Sequence, residues 1–136
     1  PWFLLATKGV VKPFIFQKRR DYKFTPLDAL DSPNVFFKNE FVYGSDARVN
    51  AGLGLWQLAF ASKATLDGTN YDAARSSMGG LRGQGGQSLN IVPDLLVCGP
   101  SLEGAARRLL TAEKNDAGAD NVWRNTARLL VVPELA

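Results

Sequence analysis

The segment Asn39–Lys63, NEFVYGSDARVNAGLGLWQLAFASK, has no proline and holds a G-x-G, Gly52 to Gly54, close to Trp56. How it is read decides the fold. From Ser45 to Ala51 the odd positions are small or apolar and the even ones are Asp46, Arg48 and Asn50. That pattern predicts a half-buried strand with one wet face. From Trp56 to Phe60 the large apolar residues sit on even positions, Trp56, Leu58 and Phe60. The buried face therefore switches near Gly52 to Leu55. A one-residue slip reverses every side chain, so a bulge or bend at the glycines is expected. A helix would carry two interior glycines at about 1 kcal/mol each. The expectation is one long strand, bent at Gly52 to Gly54, with Trp56, Leu58 and Phe60 anchored in the core.

Working outward, the first part of the chain reads as strands. Pro1 to Ala6 is a short apolar run. Lys8 to Arg20 is apolar, broken by Pro13, and ends in three basic residues. A proline there marks an edge or a strand start. Asp21 to Leu27 alternates, with Tyr22 and Phe24 on one face. Asp28 to Asn34 has turn composition. Val35 to Gly44 is rich in β-branched and aromatic residues and is expected to be strand.

The remainder changes character. Thr69 to Gly83 places Tyr71, Ala74, Met78 and Leu81 at helical spacing, with Thr69 or Asn70 as the expected cap. Gly83 to Ser88 reads as a flexible loop. Leu95 to Cys98 is a short buried strand. Ser101 to Glu113 is the clearest helix, with Leu102, Ala105, Ala106, Leu109 and Leu110 in one stripe. Lys114 to Asn121 is a loop, and Ala127 to Val132 is a strand. Strand, helix, strand from Leu95 to Val132 fits a right-handed parallel crossover. The fold class is α+β: a mixed sheet with two main helices. The chain is expected to be a single domain segment, strand-rich over about 1–63 and helix-and-strand over about 64–136.

The 136 residues are 46% apolar with a formal net charge of +3, a globular composition able to bury a core. The charge permits an anionic partner without calling for one. There is no histidine, which removes the usual general base and the Ser-His-Asp and Cys-His arrangements. The lone cysteine, Cys98, gives no internal disulfide and no C-x-x-C knuckle. No run of about 18 apolar residues is present. The chain opens on an apolar run and closes just past another. The expectation is a part of a longer protein.

The candidate sites are few. Gly52-Leu53-Gly54 lacks the third glycine of a dinucleotide fingerprint, and Gly79 to Gly86 lacks the Gly-Lys-Ser/Thr of a P-loop. Both are expected to serve backbone geometry, so no cofactor is expected. Cys98 lies before a helix start, where a thiol can be activated; without a histidine it is expected to be a buried structural residue. Gln17 to Lys23 is the densest basic patch, able in principle to contact phosphates, although a charged strand end is the commoner reason for such a run. The carboxylates Asp28, Asp31, Asp116 and Asp120 sit in loops at no metal or glycosidase spacing. No catalytic residue and no metal ligand set is expected.

Several stretches together resemble one family. These are VKPFIFQKRR, VFFKNEFVYGSDARVNAGLGLWQLAF, PDLLVCGPSLEGAARRLL and LLVVPELA. They are similar to the major head subunit of Mu-like phages and prophages, the gpT type. The most specific part is the joint spacing of Tyr43, Gly44, Arg48, Gly52, Gly54, Trp56, Gln57 and Ala59. Cys98 and Gly99 stand where the resemblance leads us to expect Val and Pro, and Ala6 where it leads us to expect an acidic residue. The resemblance implies the fold common to tailed-phage major capsid proteins and a structural, non-enzymatic virion protein without cofactors. It implies copies of itself as partners, as hexamers and pentamers in the full-length shell. A scaffold protein, only indirect contact with packaged DNA, and no membrane go with it, as does assembly in the bacterial host cytoplasm. Arg19, Arg20, Asp46, Arg48, Arg107 and Arg108 are the expected inter-subunit contacts. The alternative is a nucleic-acid-binding module using the basic patch 17–23.

Overall fold

The computed structural model describes residues 1–115 and 118–135, so Asp116 lies outside the described residues. The chain divides into two compact units, one formed by 1–13 with 53–136 and the other by Phe14–Gly52.

The larger unit is built on a four-stranded mixed sheet. Its strands are β1 (Trp2–Leu5), β4 (Ala59–Ser62), β5 (Leu95–Cys98) and β6 (Arg128–Val131), in the order β4-β1-β5-β6. β1 is antiparallel to both β4 and β5, and β5 is parallel to β6. In register, Trp2 lies beside Cys98, and Cys98 beside Val131; Leu4 lies beside Leu96 and Phe60. Alternate residues share a sheet face, so these side chains make one apolar layer. Helices α2 (Gly68–Gly79) and α3 (Glu103–Leu110) add Tyr71, Ala74, Met78, Ala106 and Leu110 to the same core. The parallel β5–α3–β6 unit is the one the sequence predicts, with α3 preceded by a 3-10 turn, Pro100–Leu102.

Helix α2 follows the predicted stripe of Tyr71, Ala74 and Met78, but its cap is Asp67, not Thr69 or Asn70. The Asp67 carboxylate accepts from the Asn70 amide at 2.8 Å, a contact worth about 1 kcal/mol. The helix stops at Gly79, short of Gly83. The connection from α3 to β6 is pinned by Asn121. Its side-chain amide donates to the carbonyls of Leu109 at 2.8 Å and Ala112 at 3.0 Å, satisfying the open end of α3. This seats Trp123 edge-on against Tyr71, with ring centroids 5.4 Å apart. The Tyr71 hydroxyl bonds Thr126, and Arg75 donates to the carbonyl of Pro93.

Asp94 joins three strand ends. Its carboxylate accepts from the amide and, at 2.8 Å, from the hydroxyl of Thr7 just after β1. Its own amide donates to Leu5, and its carbonyl accepts from Arg128 at the start of β6. Burial of this carboxyl works to raise its pKa. The two Thr7 bonds, with the charges of Lys8 and Arg128, outweigh burial and hold it below the ordinary value of 3.8. A native pKa below the unfolded one stabilises the fold above the ordinary carboxylate range, and that stabilisation is lost as pH falls through the native value. Asp94→Asn should therefore cost about 2 kcal/mol near neutral pH. The gap from wild type should shrink when urea denaturation is repeated near pH 3; a gap independent of pH would refute this role.

The smaller unit departs most from expectation. It holds β2 (Phe14–Leu27), α1 (Pro33–Lys38) and most of β3 (Val42–Leu53), with β2 and β3 forming a two-stranded ribbon. β2 starts directly after Pro13, the strand start that proline predicts. Val35 to Lys38, expected to be strand, is helix. Local signals outweigh β-propensity there: Pro33 occupies the first turn, and Asn39 ends the helix in the left-handed region at φ 52°.

The long strand expected across Asn39 to Lys63 is two strands in two different sheets. β3 ends at Leu53, Trp56–Leu58 form a 3-10 turn, and β4 begins at Ala59. Gly54 makes the break. Its amide donates to the Pro13 carbonyl at 2.8 Å, and its α-carbon packs against the Lys12 carbonyl where a side chain would overlap it. Leu58 and Phe60 pack on the core as predicted, but Trp56 is 71% exposed. The half-buried strand expected over Ser45 to Ala51 is exposed on both faces, with Ala47 alone half-buried.

Candidate assembly surface

Cys98 is fully buried, and burial, with the nearby Glu103 carboxylate, pushes its thiol pKa up. That opposes thiolate formation. Among the described residues no three His, Cys, Asp or Glu side chains come together as a metal site. The glycine loop closes on itself: Gly83 donates to the Gln87 carbonyl at 2.8 Å, and the Arg82 guanidinium to the Gly86 carbonyl at 3.0 Å. An open cavity of about 530 Å³ lies between α3 and the Asn121–Trp123 turn, lined by Leu66, Leu109, Trp123, Arg108 and Lys114.

The notable surface is the ribbon. Every residue of β2 is exposed, as is every residue of β3 except Ala47. Large apolar side chains are exposed: Phe16, Tyr22, Phe24 and Leu53 on the strands, and Phe36 and Phe37 on α1. Phe24 stacks on Tyr43 at 5.6 Å and Phe36 meets Phe37 edge-on at 5.0 Å. A two-stranded ribbon alone is marginal in water, and contiguous exposed apolar surface marks an interaction site.

The structure separates the six predicted contact residues. Arg20 pairs with Asp46 across the ribbon at 2.6 Å, and Arg107 with Glu103 on its own helix at 2.7 Å. These three, Arg20, Asp46 and Arg107, are engaged within the chain. Arg19, Arg48 and Arg108 carry no ion pair among the described residues. In the basic patch, Lys18 pairs with Asp21 at 2.9 Å and helps hold that carboxyl below its ordinary pKa. With Arg20 engaged as well, only Arg19 and Lys23 of its four cations carry no ion pair among the described residues, which weakens a phosphate-binding reading. Sequence reasoning missed the exposed aromatic cluster around α1. The signal for it was Ser32-Pro33 before an aromatic run, a helix start that turns only Val35 inward.

A compact mixed sheet joined in sequence to a ribbon exposed on both faces is the class of architecture to be compared with known proteins. Comparison with solved structures gives this class its name: phage capsid proteins. The chain matches one from "Procapsid of bacteriophage JBD30 computed in I4 symmetry" with a TM-score of 0.85 and 34% identity, over 96% of this chain and 44% of that one. A chain of "Bacteriophage JBD30 capsid" shares the fold at a TM-score of 0.88 with 17% identity, over 99% of this chain and 47% of that one. The chain belongs to the Mu-like prophage major head subunit gpT family, whose model matches residues 1–135. It is 35% identical over 134 residues to the Mu-like prophage FluMu major head subunit of Haemophilus influenzae, covering 96% of this chain and 44% of that protein. It is 38% identical over 113 residues to the major capsid protein of Escherichia phage Mu, covering 83% of this chain and 37% of that protein. The chain thus spans less than half the length of these relatives.

Proposed function

We propose that this chain is part of a major head subunit that builds the shell of a Mu-like phage or prophage virion by self-association. The observation that carries the reading is the ribbon, whose apolar side chains are exposed on both faces and need a covering surface. Shell subunits work by burying such surface against copies of themselves, so their function lies in interfaces and curvature. Family membership and the capsid fold point the same way. The role is structural rather than catalytic.

Both compact units belong to one capsid-protein segment, strand-rich over 1–63 and helix-and-strand over 64–136. The complete subunit forms hexamers and pentamers, with a scaffold protein during assembly in the bacterial host cytoplasm and only indirect contact with packaged DNA. Of the six predicted contact residues, Arg19, Arg48 and Arg108, which carry no ion pair among the described residues, contact neighbouring subunits directly, and Arg20, Asp46 and Arg107 act through the pairs they already make. Among the described residues no helix is long and apolar enough to cross a membrane. The test is assembly. The complete gene product, expressed with its scaffold, should give large closed particles in electron micrographs. A monodisperse monomer under every assembly condition would overturn the reading.

A further inference from the structure

The segment from Thr7 to Pro13 begins just after β1 and is held at its two ends by different chemistry. Its middle, Lys8 to Lys12, is exposed, while Thr7 is half-buried and Pro13 buried. Among the described residues no main-chain hydrogen bond ties residues 8–12 to the sheet. At the far end the Pro13 carbonyl accepts from the Gly54 amide at 2.8 Å, a bond between two uncharged groups. At the near end Thr7 gives its amide to one carboxylate oxygen of Asp94 and its hydroxyl to the other. Within the segment, the Lys12 ammonium donates to the Thr7 carbonyl at 2.6 Å.

The two ends respond differently to acid. The bond at Pro13 has no titrating member. The bonds at Thr7 are charge-assisted, and such bonds are roughly twice as strong as neutral ones. A protonated carboxyl loses acceptor capacity to its own O–H. Asp94 itself stays in place whatever its charge, because its amide bonds Leu5 and its carbonyl bonds Arg128 in the sheet. The charged groups that face its carboxylate are Lys8 of the segment and Arg128 of β6, whose Nη2 lies 3.9 Å from Oδ2. On the α2 side, the Arg75 guanidinium is engaged with the carbonyl of Pro93, next in the chain to Asp94. The two facing cations favour the carboxylate, so the near end stays charged until the pH falls below the ordinary 3.8.

We propose that residues 7–13 are an acid-released strap: protonation of Asp94 frees Thr7 and with it residues 8–12, while Gly54 keeps Pro13 seated and the four-stranded sheet stays folded. Acid therefore opens one segment before it costs the sheet its fold. Segments with few buried contacts open at a fraction of the global unfolding free energy, and this one is tied down at a single titrating point. The strap is built from contacts inside the larger unit, so it does not rest on the shell reading.

Amide hydrogen exchange of the present chain, followed residue by residue by NMR and corrected for intrinsic rates, tests it. The measurement is made near pH 6 and again at the acid pH where the side-chain carboxyl carbon of Asp94 reports full protonation. The Thr7 amide should lose protection about tenfold between the two. The amides of Gly54, Asp94 and Arg128, which bond the carbonyls of Pro13, Leu5 and Asp94, should keep theirs. Asp94→Asn should show weak protection at Thr7 at both pH values, with no further loss in acid. Thr7→Val removes the hydroxyl bond and leaves the amide, so the midpoint of the loss at residue 7 should move to higher pH. An amide at Thr7 that stays protected once Asp94 is protonated would overturn the strap. So would a loss of protection at all of these amides together, which is global unfolding, or a midpoint that Thr7→Val does not move.

Discussion

Trp2→Ala should cost the fold about 4 kcal/mol, and Trp56→Ala no more than about 0.5 kcal/mol. Trp2 is 1% exposed in the second strand position of the sheet. Its ring lies 6.1 Å from that of Phe60, and its indole N–H donates to the Ala64 carbonyl at 2.8 Å. Truncation removes the largest apolar side chain of the core and orphans that carbonyl. Trp56 stands in solvent on the 3-10 turn, so its removal exposes nothing that was covered. Urea denaturation of the two variants measures both effects through the midpoint at constant slope. Equal costs would show that Trp56 anchors the sheet, as its even-numbered pattern with Leu58 and Phe60 predicts.

Gly54→Ala should cost about 3 kcal/mol, while Gly52→Ala, two residues away, should be neutral or slightly stabilising. The added methyl at 54 meets the Lys12 carbonyl oxygen, a backbone atom that cannot rotate aside, and must also strain the bond from the Gly54 amide to Pro13. At 52 the same methyl meets nothing within 4 Å. The pair separates close approach from backbone freedom, since neither glycine has positive φ. Denaturation midpoints decide between them, and a neutral Gly54→Ala would remove the steric account of the break between β3 and β4.

These glycines also show where the sequence was legible. The face switch near Gly52 to Leu55 was visible, and the residues that cause it were the right ones. Its meaning was not visible, because a change of buried face looks the same whether one strand bends or two strands join different sheets. The deciding contact comes from Lys12 and Pro13, about forty residues away in the chain. Where one face is buried, periodicity succeeded: β5, β6, α3 and the Tyr71–Ala74–Met78 stripe of α2 lie where their spacing puts them. It failed in β2 and β3 because neither face is buried there, so alternation carried no information about the core. α1 was legible in principle from Ser32, Pro33 and Asn39, but the aromatic run between them reads as strand. Of the candidate contact residues, spacing picked the charges and could not show which were already paired. Arg20 and Asp46 lie on different strands and meet only when the ribbon forms.

The strand order β4-β1-β5-β6 has a consequence for how the protein is made. β1 is made before both of its neighbours, which begin at Ala59 and Leu95. As the chain leaves the ribosome, residues 2 to 5 wait first for β4 and then, until some ninety more residues are added, for β5 to close their second edge. At about 5 to 20 residues per second, that delay lasts on the order of five to twenty seconds. During it, residues 2 to 5 are an apolar segment with an open edge. Folding of the larger unit is thus timed by the arrival of β5, and the interval before it is a natural point for a chaperone to act.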